Sequence, residues 1–563
     1  MDKRTFGVIA VAAGLALGLM GNILFYGRLV GLSFPIYIAL AVIILLALTR
    51  PAQVKIQPRN LWPLLPLGFF AVMVAIRADE LVTLLNIGAV LALGALVVYY
   101  LPLARSLDEE TLGKQTQAVL EVGIMLVPVA LLQTVEAWGW LREKRHQRGG
   151  VFAAVVRGSV FALPIVLVFA FLLGSADAVF AKYVSEAFDS VWKALGIKFL
   201  DDTLGRWLLT GGLATVATGA LGFSLMRNVA APPATPETEQ ASSDPEMEMA
   251  AAISAQTKEK AKPAFKLGMV ESGIIMGSVV ALFAAFVVIQ FRYFFGGRTT
   301  IEVAGLTFAQ YARRGFFELV AVSVLTLGLS LWLDKVSVRQ SKRENHIFRG
   351  LALAIVALTS IMLVSAAQRM WLYEEAFGFT QLRVYTHVFM VWLGVMFAVF
   401  VVAMFRLKTN IFSLGTLLVI IGYLATINLM NIDHYIAERN IARYHAGQEL
   451  DIAFLNILSA DAVPEILPLW QSATDDQVKE WSGQWLARQL LTLDKEMQGG
   501  SSLPFSLNTS RLNAWNQLDH VRRELPAYDP SLYWGSYYDS YGSGRSDYES
   551  GWETLGTDVP GSR

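Results

Sequence analysis

The stretch Tyr311–Leu333, YARRGFFELVAVSVLTLGLSLWL, decides the fold class of this chain. It contains an apolar run of roughly 20 residues, which is the length that an α-helix needs to cross the hydrocarbon core of a bilayer. Arg313 and Arg314 stand at its start, and Glu318 follows within the first turns. Arg314 and Glu318 are four residues apart, so on a helix they share a face and can pair. A carboxylate at the start of a span is unfavourable unless it is paired, hydrated or turned toward other helices, so this stretch predicts a span and a candidate site together.

The composition of the whole chain agrees with a membrane protein. Of its 563 residues, 55% are hydrophobic and 16% are charged, and the mean hydropathy is +0.48. Soluble domains carry about 25% charged residues, so the deficit is too large for an ordinary globular core. The formal net charge is zero, which gives no indication of a nucleic-acid partner. The chain has no cysteine, which excludes disulfides, thiolate metal sites and cysteine nucleophiles.

Apolar windows along the chain predict an all-α, polytopic transmembrane bundle of about eleven spans, with ten to twelve possible. The first window follows Lys3 and Arg4; a cleaved signal peptide is the alternative there, but the run is long and no clear small-residue cleavage site follows. One further window, Val119–Val135, contains Glu121 and Pro128 and is predicted to be interfacial or re-entrant. The predicted spans are Phe6–Phe25, Val30–Leu48, Leu61–Ile76, Leu81–Leu103, Ala154–Leu173, Trp207–Met226, Met269–Gln290, Gly315–Leu333, Leu351–Ala367, Val384–Phe405 and Ile411–Met430.

Charged loops predict the orientation of the spans. With a cytoplasmic N-terminus and no crossing at Val119–Val135, loops assigned to the cytoplasm hold about 23 lysines and arginines against about 12 outside. If that segment crosses, the later loops exchange sides, the counts become about 17 against about 18, and the bias disappears. The positive-inside rule therefore favours a cytoplasmic N-terminus and an extracytoplasmic C-terminus. The cytoplasmic set includes Arg50, Lys55, Arg59, Arg142, Lys144, Arg145, Arg148, Lys335, Arg339, Lys342 and Arg343.

Composition divides the chain into five regions, which are residues 1–226, 227–266, 267–430, 431–528 and 529–563. The first and third hold about six and about five spans. Within the first, an amphipathic segment near 176–205 is typical of an interfacial helix or of a cap on the bundle. The second is rich in Pro, Ala, Glu and Lys without apolar periodicity, which predicts a disordered linker. The fourth predicts a small helical soluble domain, and the fifth, rich in Tyr, Gly and Ser, predicts a flexible tail.

The soluble domain shows helical patterns of its own. The predicted helices are Asp433–His445, Glu449 to about Leu458, one that follows Thr474, and Arg511–Leu525. Thr474 and Gln477 have capping-box spacing. Val478, Trp481 and Trp485 then form an i, i+3, i+7 stripe, which predicts a buried face.

Several blocks of the chain together resemble a known family. They are LPIVLVFAFLLGSADAVFA, YARRGFFELV, LRVYTHVFMVWLG and NIDHYIAERNIARYHAGQELDIAFLNILSADAVPEI, with a weaker block FSLNTSRLNAW. From about Arg157 to Ile466 they resemble the uncharacterised bacterial membrane family called domain of unknown function four-one-seven-three. The resemblance implies a multi-pass membrane protein with a soluble C-terminal extension. It brings no activity, substrate or catalytic residue, and the first 150 residues and the tail fall outside it.

Ionisable residues gather at one end of the predicted C-terminal spans. In the favoured topology they lie on the extracytoplasmic side and predict one polar network at the outer mouth of that bundle. Arg383 and His387 are four residues apart and share a helical face. Two interpretations stay open: interface anchors and ion pairs that stabilise the bundle, or a site for an anionic ligand or a proton. The candidates are Arg313, Arg314, Glu318, Arg369, Glu374, Arg383 and His387, with Arg292 and Glu375 nearby and Glu271 as a secondary candidate.

No catalytic motif accompanies this cluster. The sequence has no Walker-type phosphate loop, HExxH or GxSxG, and its six histidines show no metal-ligand spacing. We therefore expect no cofactor, no metal and no catalytic residue, and an intramembrane enzyme ranks last. The favoured function is a non-enzymatic sensor, scaffold or signalling module of the bacterial cell envelope, with membrane lipids as partners and a protein partner for the soluble domain. The alternative is a transporter or channel for a small solute, an anion included, that uses the polar cluster.

Overall fold

The computed structural model describes residues 3–103, 105–144, 200–226, 267–295, 316–406, 409–498 and 506–530. Helices dominate these ranges, and the β-type pairing within them is an isolated bridge between Leu267 and Ser337. The α-helices are α1 (Lys3–Phe25), α2 (Ser33–Thr49), α3 (Leu64–Ile76), α4 (Glu80–Tyr100), α5 (Leu112–Lys144), α6 (Leu200–Met226), α7 (Met269–Phe295), α8 (Phe316–Val336), α9 (Lys342–Phe377), α10 (Gln381–Arg406), α11 (Thr409–Met430), α12 (Ile432–His445), α13 (Ile452–Leu455), α14 (Val463–Ser472), α15 (Asp476–Gln498) and α16 (Thr509–His520). The all-α fold class is confirmed.

Ten helices within the described ranges are long and apolar enough to cross a membrane, which confirms a polytopic membrane protein. All but one of them coincide with predicted spans. The predicted span Val30–Leu48 corresponds to α2, a shorter apolar helix of 17 residues. The predicted span Ala154–Leu173, most of the amphipathic segment near 176–205, the linker and the tail beyond residue 530 lie outside the described residues.

One candidate span bears on the prediction that Val119–Val135 is interfacial or re-entrant. A re-entrant segment must reverse direction, whereas Val119–Val135 lies inside the uninterrupted 33-residue helix α5. Its portion Leu112–Ala137 is long and apolar enough to cross. Pro128 sits within the helix because a proline removes one backbone hydrogen bond without ending a long apolar helix. If α5 crosses, the charge count over the whole chain is balanced and predicts no orientation.

The chain forms two compact units. The described residues of the first fall within Met1–Ile76, Asn86–Ala234 and Gly499–Asn508, and those of the second within Arg77–Leu85, Thr235–Gln498 and Thr509–Arg563.

In the first unit, α1 packs closely against α6. Gly14 and Gly18, one helical turn apart on α1, face Ala214 and Thr218 of α6. A methyl group added at Gly18 would lie 2.8 Å from the Cβ atom of Ala214, so a larger residue would push the helices apart. Small residues at such spacing let two membrane helices approach until their backbones are nearly in contact.

In the second unit, α9 lies between α7, α8 and α10, and α10 packs in turn against α11. The helix begins at a capping box: the Ser341 hydroxyl accepts from the Glu344 amide at 3.1 Å, and the Glu344 carboxylate accepts from the Ser341 amide at 3.3 Å. Ala366 of α9 and Phe397 of α10 are fully buried in the contact between the two helices. This contact fixes the C-terminal end of α9 beside the N-terminal part of α10.

Helices α12 to α16 share one hydrophobic core. Trp485 is completely buried at its centre, with Val478 and Trp481 on the same face of α15, so the predicted stripe is confirmed as a buried face. Ala78, from the connection between α3 and α4, belongs to the same core. The C-terminal helices therefore pack around a residue from the first hundred positions of the chain.

The helix boundaries in this region differ from prediction in three places. The α15 terminus is capped by Asp475, whose carboxylate accepts from the amide of Gln477 at 2.8 Å, and not by Thr474. The helix predicted from Glu449 to Leu458 is only α13, because Asp451 caps it late by accepting from the Phe454 amide. The last helix ends at His520 rather than at Leu525.

Candidate functional site

The structure brings two of the predicted site residues, Glu374 and His387, into contact, and Arg383 lies at the same turn with other partners. Arg369 lies on α9 and is half-buried, and Glu271 is exposed in the first turn of α7. Glu318 lies in the first turn of α8, and its side chain is outside the described residues, as are Arg292, Arg313 and Arg314. The Glu374–His387 pair lies at the junction of α9 and α10, and the wider network stays a prediction.

Glu374 is a buried acid in the last turn of α9. It is 4% exposed, and its Oε2 atom lies 3.1 Å from Nδ1 of His387, one turn and a half into α10. The other oxygen, Oε1, is buried and has no hydrogen-bond donor within reach among the described residues. Because a buried carboxylate oxygen without a donor is strongly unfavourable, this atom marks a place where the protein alone does not satisfy its own polar group.

Arg383 has a different position from the one expected of a ligand-binding arginine. Its guanidinium donates to the carbonyl oxygens of Gly378 and Phe377, at the C-terminal end of α9, and lies 4.2 Å from the ring centroid of Tyr373. A cation at this end of a helix neutralises unpaired carbonyls and the negative end of the helix dipole. Arg383 therefore terminates α9.

A cavity of about 730 Å³ opens beside the Glu374–His387 pair, and we call it the amphipathic cavity. Four helices, α9 to α12, contribute to its wall. One part of the wall is apolar and another is charged, so both chemistries meet in one space. Its apolar lining is Trp371, Phe379, Val384, Val388, Val391, Trp392, Met430, Tyr435, Ala442 and Ala446, and its polar lining is Glu374, Glu375, His387, Thr426, Arg439, Arg443 and Gln448.

The charged wall on α12 was missed in the sequence. Tyr435, Arg439, Arg443 and Ala446 follow one another at helical spacing, and the first three turn polar or aromatic groups toward the cavity. Arg439 is exposed and lies 5.2 Å from the ring centroid of Tyr435. The stripe is visible as an i, i+4, i+8 pattern in YIAERNIARYHA. What could not be seen is that α12 folds back over the ends of α9 and α10.

Asn440 holds α12 against the turn between α9 and α10 by two hydrogen bonds. Its side-chain oxygen accepts from the Phe379 amide, and its side-chain nitrogen donates to the Phe379 carbonyl, both at 2.8 Å. Arg443 adds a bond to the Glu375 carbonyl at 2.9 Å. Burial, and then the positive charge of Arg383, lower the pKa of the Arg443 guanidinium. The guanidiniums of Arg383 and Arg443 are therefore close together beside the turn between α9 and α10.

Gly378 makes this approach possible. Its φ angle is +80°, which side-chain-bearing residues rarely adopt. A Cβ atom there would also lie 2.6 Å from both Asn440 Oδ1 and Arg443 Nη1. The turn between α9 and α10 therefore needs glycine for its backbone and for the contact with α12.

A second buried polar group, the carboxylate cluster, consists of Asp79, Asp433 and Asp461. All three are less than 7% exposed. Gln381 links two of them, because its amide nitrogen lies 2.6 Å from Oδ1 of Asp433 and 3.2 Å from Oδ2 of Asp79. Burial, followed by the charge of Asp79, raises the pKa of Asp433 to about 6, and burial also raises the pKa of Asp79.

Every carboxylate oxygen of the carboxylate cluster accepts a hydrogen bond. Asp461 accepts from the amides of Ala78 and Asp79 with one oxygen and from the Ser510 hydroxyl with the other. The second oxygens of Asp433 and Asp79 accept from the amides of Ser459 and Val82, at 2.8 Å each. The cluster joins the α3–α4 connection to the C-terminal helices.

Neither polar group has the form of a metal centre. Among the residues that the structure describes, no group of three His, Asp or Glu side chains is arranged to hold a metal ion. The carboxylate cluster also borders a cavity, of about 480 Å³, but its oxygens are all satisfied by donors from the chain. The lining of the amphipathic cavity includes an acceptor with no donor among the described residues. The amphipathic cavity is therefore the better candidate for a binding site.

Comparison with known proteins gives a family and no activity. No curated protein and no solved structure matches the chain. The profile of a family described as Domain of unknown function (DUF4153) matches residues 64–469, from α3 to α14. A family of unknown function was expected, but the scattered blocks pointed to a different one, the domain of unknown function four-one-seven-three. The matched segment includes the whole lining of the amphipathic cavity, and the chain belongs to the Domain of unknown function (DUF4153) family.

Proposed function

We propose that this protein is a non-enzymatic membrane sensor, in which the amphipathic cavity binds an amphiphile and α12 reports its presence to the C-terminal helices. The observation that carries the proposal is the composition of the cavity wall. Three candidate membrane spans, α9, α10 and α11, and one helix of the C-terminal region, α12, line the same space of about 730 Å³. Small-molecule sites fall between about 300 and 1,000 Å³, so the size is suitable.

The shape of the lining favours an amphiphile over a small polar solute. Val384, Val388 and Val391 form one face of α10 along the cavity, and they give it an apolar length of about two helical turns. Val391 is 62% exposed and Trp371 is 65% exposed, so the cavity is bordered by apolar side chains that face outward. A molecule with an apolar chain and a charged head group matches the two parts of this wall.

The attachment of α12 supports a reporting role. A ligand in the cavity touches α12 and the ends of α9 and α10 together, where Asn440 already joins them. A ligand that binds one conformation of this junction more tightly increases the fraction of molecules whose C-terminal helices have that conformation. A protein partner of the C-terminal region could detect that shift.

The polar groups of the cavity also support a non-enzymatic role. Within the described lining, Thr426 is the only hydroxyl-bearing aliphatic residue, and its oxygen accepts from Trp392 at 3.1 Å while it donates to a carbonyl of its own helix. A nucleophile needs a base within hydrogen-bond reach, and the Thr426 hydroxyl bonds to Trp392 and to its own helix rather than to His387.

The test uses two tryptophan variants of α10. Val391→Trp places an indole in the cavity from an exposed position, while Val395→Trp changes an exposed valine one turn further along that does not line it. Detergent-purified, delipidated protein is titrated with a mixture of phosphatidylethanolamine and phosphatidylglycerol, and lipid-dependent thermal stabilisation is measured. We expect the wild type and Val395→Trp to respond equally, and Val391→Trp to need at least about tenfold more lipid. Equal responses from all three proteins would contradict the proposal.

Transport is the second candidate, and the buried Glu374–His387 pair favours it. An acid and a histidine that contact each other inside the apolar part of a helix bundle are typical of proton-coupled sites. Solute or proton flux into proteoliposomes that is lost in Glu374→Gln, while lipid-dependent stabilisation is unchanged, would select transport over sensing.

We also propose that the C-terminal helices lie outside the cytoplasm. Lys335, Arg339, Lys342 and Arg343 surround the α8–α9 connection, and short basic loops are retained in the cytoplasm. Helices α9, α10 and α11 then follow before the C-terminal region, and three crossings end on the opposite side.

The absence of cysteine gives a direct test of this orientation. Gln340 and Glu480 are exposed, whereas Ser337 is buried against Ser272 and is a poor position for a probe. An impermeant thiol reagent applied to intact cells should label Glu480→Cys and leave Gln340→Cys unlabelled. The reverse pattern would invert the orientation.

A further inference from the structure

Charged residues of both signs line the amphipathic cavity in matched numbers. Glu374 and Glu375 belong to α9, and Arg439 and Arg443 belong to α12. Two carboxylates and two guanidiniums line one space, and the formal charges of these four groups cancel. A site of this kind is complementary to a zwitterion, since a purely anionic or purely cationic ligand would meet like charge on one side.

The carboxylate side requires a ligand that donates hydrogen bonds. Glu374 is 4% exposed and its Oε1 atom has no donor among the described residues, although the side chain borders the cavity. A primary ammonium carries three N–H donors, whereas a trimethylated ammonium carries none. Glu375, which is exposed, adds a second negative charge to the lining.

The guanidinium side suits a phosphate. Arg439 and Arg443 are four residues apart on α12, so they extend from one helical face. Arg443 also stands near the guanidinium of Arg383, whose charge disfavours its own. The Glu375 charge already offsets part of this repulsion, and an anion bound beside Arg443 adds to that effect. Arginine forks match phosphate oxygens in geometry.

Resting on the proposed function, we infer that the amphipathic cavity selects a zwitterionic phospholipid whose head group combines a phosphate with a primary ammonium, the phosphoethanolamine class. The ammonium meets the carboxylate side of the lining, Glu374 and Glu375, and the phosphate meets Arg439 and Arg443. The start of an acyl chain lies along Val388 and Val391. The cavity holds the head group and the upper part of the chains, which continue into the membrane past the exposed apolar rim.

The experiment compares lipids that differ in one group at a time. Delipidated protein in detergent is titrated with dioleoyl phosphatidylethanolamine, its trimethylated counterpart phosphatidylcholine, the anionic phosphatidylglycerol, and soluble phosphoethanolamine without acyl chains. Binding is followed by native mass spectrometry and by thermal stabilisation. We expect phosphatidylethanolamine to bind at least about tenfold more tightly than phosphatidylcholine and phosphatidylglycerol. Soluble phosphoethanolamine should bind far more weakly, and equal binding of it would assign the site to a free metabolite.

Two variants separate the halves of the head group. Glu374→Gln should bring phosphatidylethanolamine down to the affinity of phosphatidylcholine while leaving phosphatidylcholine unchanged. Arg439→Gln, at an exposed position, should weaken all three phospholipids alike and leave diacylglycerol, which has no phosphate, unaffected. If Glu374→Gln does not fold, the preference of the wild type between the ethanolamine and choline lipids decides the question.

The possible failures are distinguishable. If phosphatidylcholine binds as tightly as phosphatidylethanolamine and Val391→Trp abolishes both, the head-group inference is wrong and the amphiphile-binding function stands. If Val391→Trp weakens the binding of none of the lipids, both the amphiphile-binding function and the head-group inference are wrong.

Discussion

The carboxylate cluster and the Glu374–His387 pair are both buried where membrane-type helices meet the C-terminal helices, but they differ in how their hydrogen bonds are completed. All six oxygens of Asp79, Asp433 and Asp461 accept bonds from the chain itself. Glu374 is equally buried and borders the amphipathic cavity, yet one of its oxygens has no donor among the described residues. Buried polar groups that are fully satisfied hold a structure together, whereas an unsatisfied one beside a cavity indicates a ligand. The difference gives four tests.

The largest effect is expected at the centre of the carboxylate cluster. Asp461→Ala leaves the amides of Ala78 and Asp79 and the hydroxyl of Ser510 without their acceptor. Since each buried, unpaired donor is unfavourable by about 1–3 kcal/mol, the free energy of unfolding should fall by about 3–5 kcal/mol. The measurement is reversible denaturation in detergent micelles. Asp461→Asn, which keeps one acceptor oxygen, is the control and should lose less; a fall below about 1 kcal/mol for Asp461→Ala would show that the cluster does not hold the α3–α4 connection.

The second test is the pH dependence of the free energy of unfolding, which the carboxylate cluster should make decrease as pH rises. The pKa of Asp433 is raised by burial, and then by the charge of Asp79, from 3.8 to about 6 in the folded state. The folded protein therefore binds this proton more tightly than the unfolded chain, and the free energy of unfolding decreases as pH rises from about 4 to about 6. Two pKa units correspond to about 3 kcal/mol, and the raised pKa of Asp79 acts in the same direction.

The matched variant for this dependence is Asp433→Asn. Denaturation at pH 4.5 and pH 7 should show a clear loss of stability at the higher pH in the wild type and a much smaller one in the variant. A wild-type stability that rises over the same interval, or a variant with an unchanged slope, would exclude Asp433 as the source.

A middle-sized effect is expected where α12 is fastened. Asn440→Ala removes both bonds to the backbone of Phe379 and leaves two polar groups unpaired, so the free energy of unfolding should fall by about 2 kcal/mol. Glu438→Ala, an exposed position on the same helix, should change it by less than about 0.5 kcal/mol. If α12 reports the ligand, Asn440→Ala should still bind lipid but lose the lipid-dependent protection of the C-terminal helices against protease. Protection that persists in this variant would contradict the reporting role.

The smallest effect on stability is expected at Glu374. Glu374→Gln keeps the shape of the side chain and an oxygen acceptor, and it removes a buried charge whose hydrogen bonds are incomplete, so the free energy of unfolding should change by about 1 kcal/mol or less. Thermal unfolding of delipidated protein is the measurement. A loss as large as that of Asp461→Ala would place Glu374 among the structural carboxylates and remove the contrast between the two groups.

The sequence predicts those parts of the fold and site that depend on local pattern. Apolar windows place most spans, and the spacing of Arg383 and His387 together with their position at a span end brings them near Glu374. Glu121 and Pro128 argued against a crossing at Val119–Val135; the continuous helix there excludes a re-entrant turn, and an interfacial position stays a prediction. A single charge and a single proline are tolerated when enough apolar residues surround them.

What the sequence could not predict depends on contacts between distant residues. Asp79 stands in a short polar connection, and nothing near it in the chain indicates that its partners come from Gln381 and Asp433. Arg439 and Arg443 form a visible stripe, yet a charged stripe on a helix is ordinarily solvated. Only the return of α12 over the turn at Gly378 converts that stripe into one wall of a cavity.

The bond from the Ala78 amide to Asp461 spans 383 residues of sequence, and this distance has a consequence for how the protein is made. Translation proceeds at about 5–20 residues per second, so about 20–80 seconds separate the synthesis of the two partners. Throughout that interval the α3–α4 connection has already been made, but its Ala78 and Asp79 amides do not yet have Asp461 as their acceptor. Completion of this junction is therefore a late event in biogenesis, and a ribosome that stalls between the two positions leaves an early turn of the protein exposed to quality-control proteases.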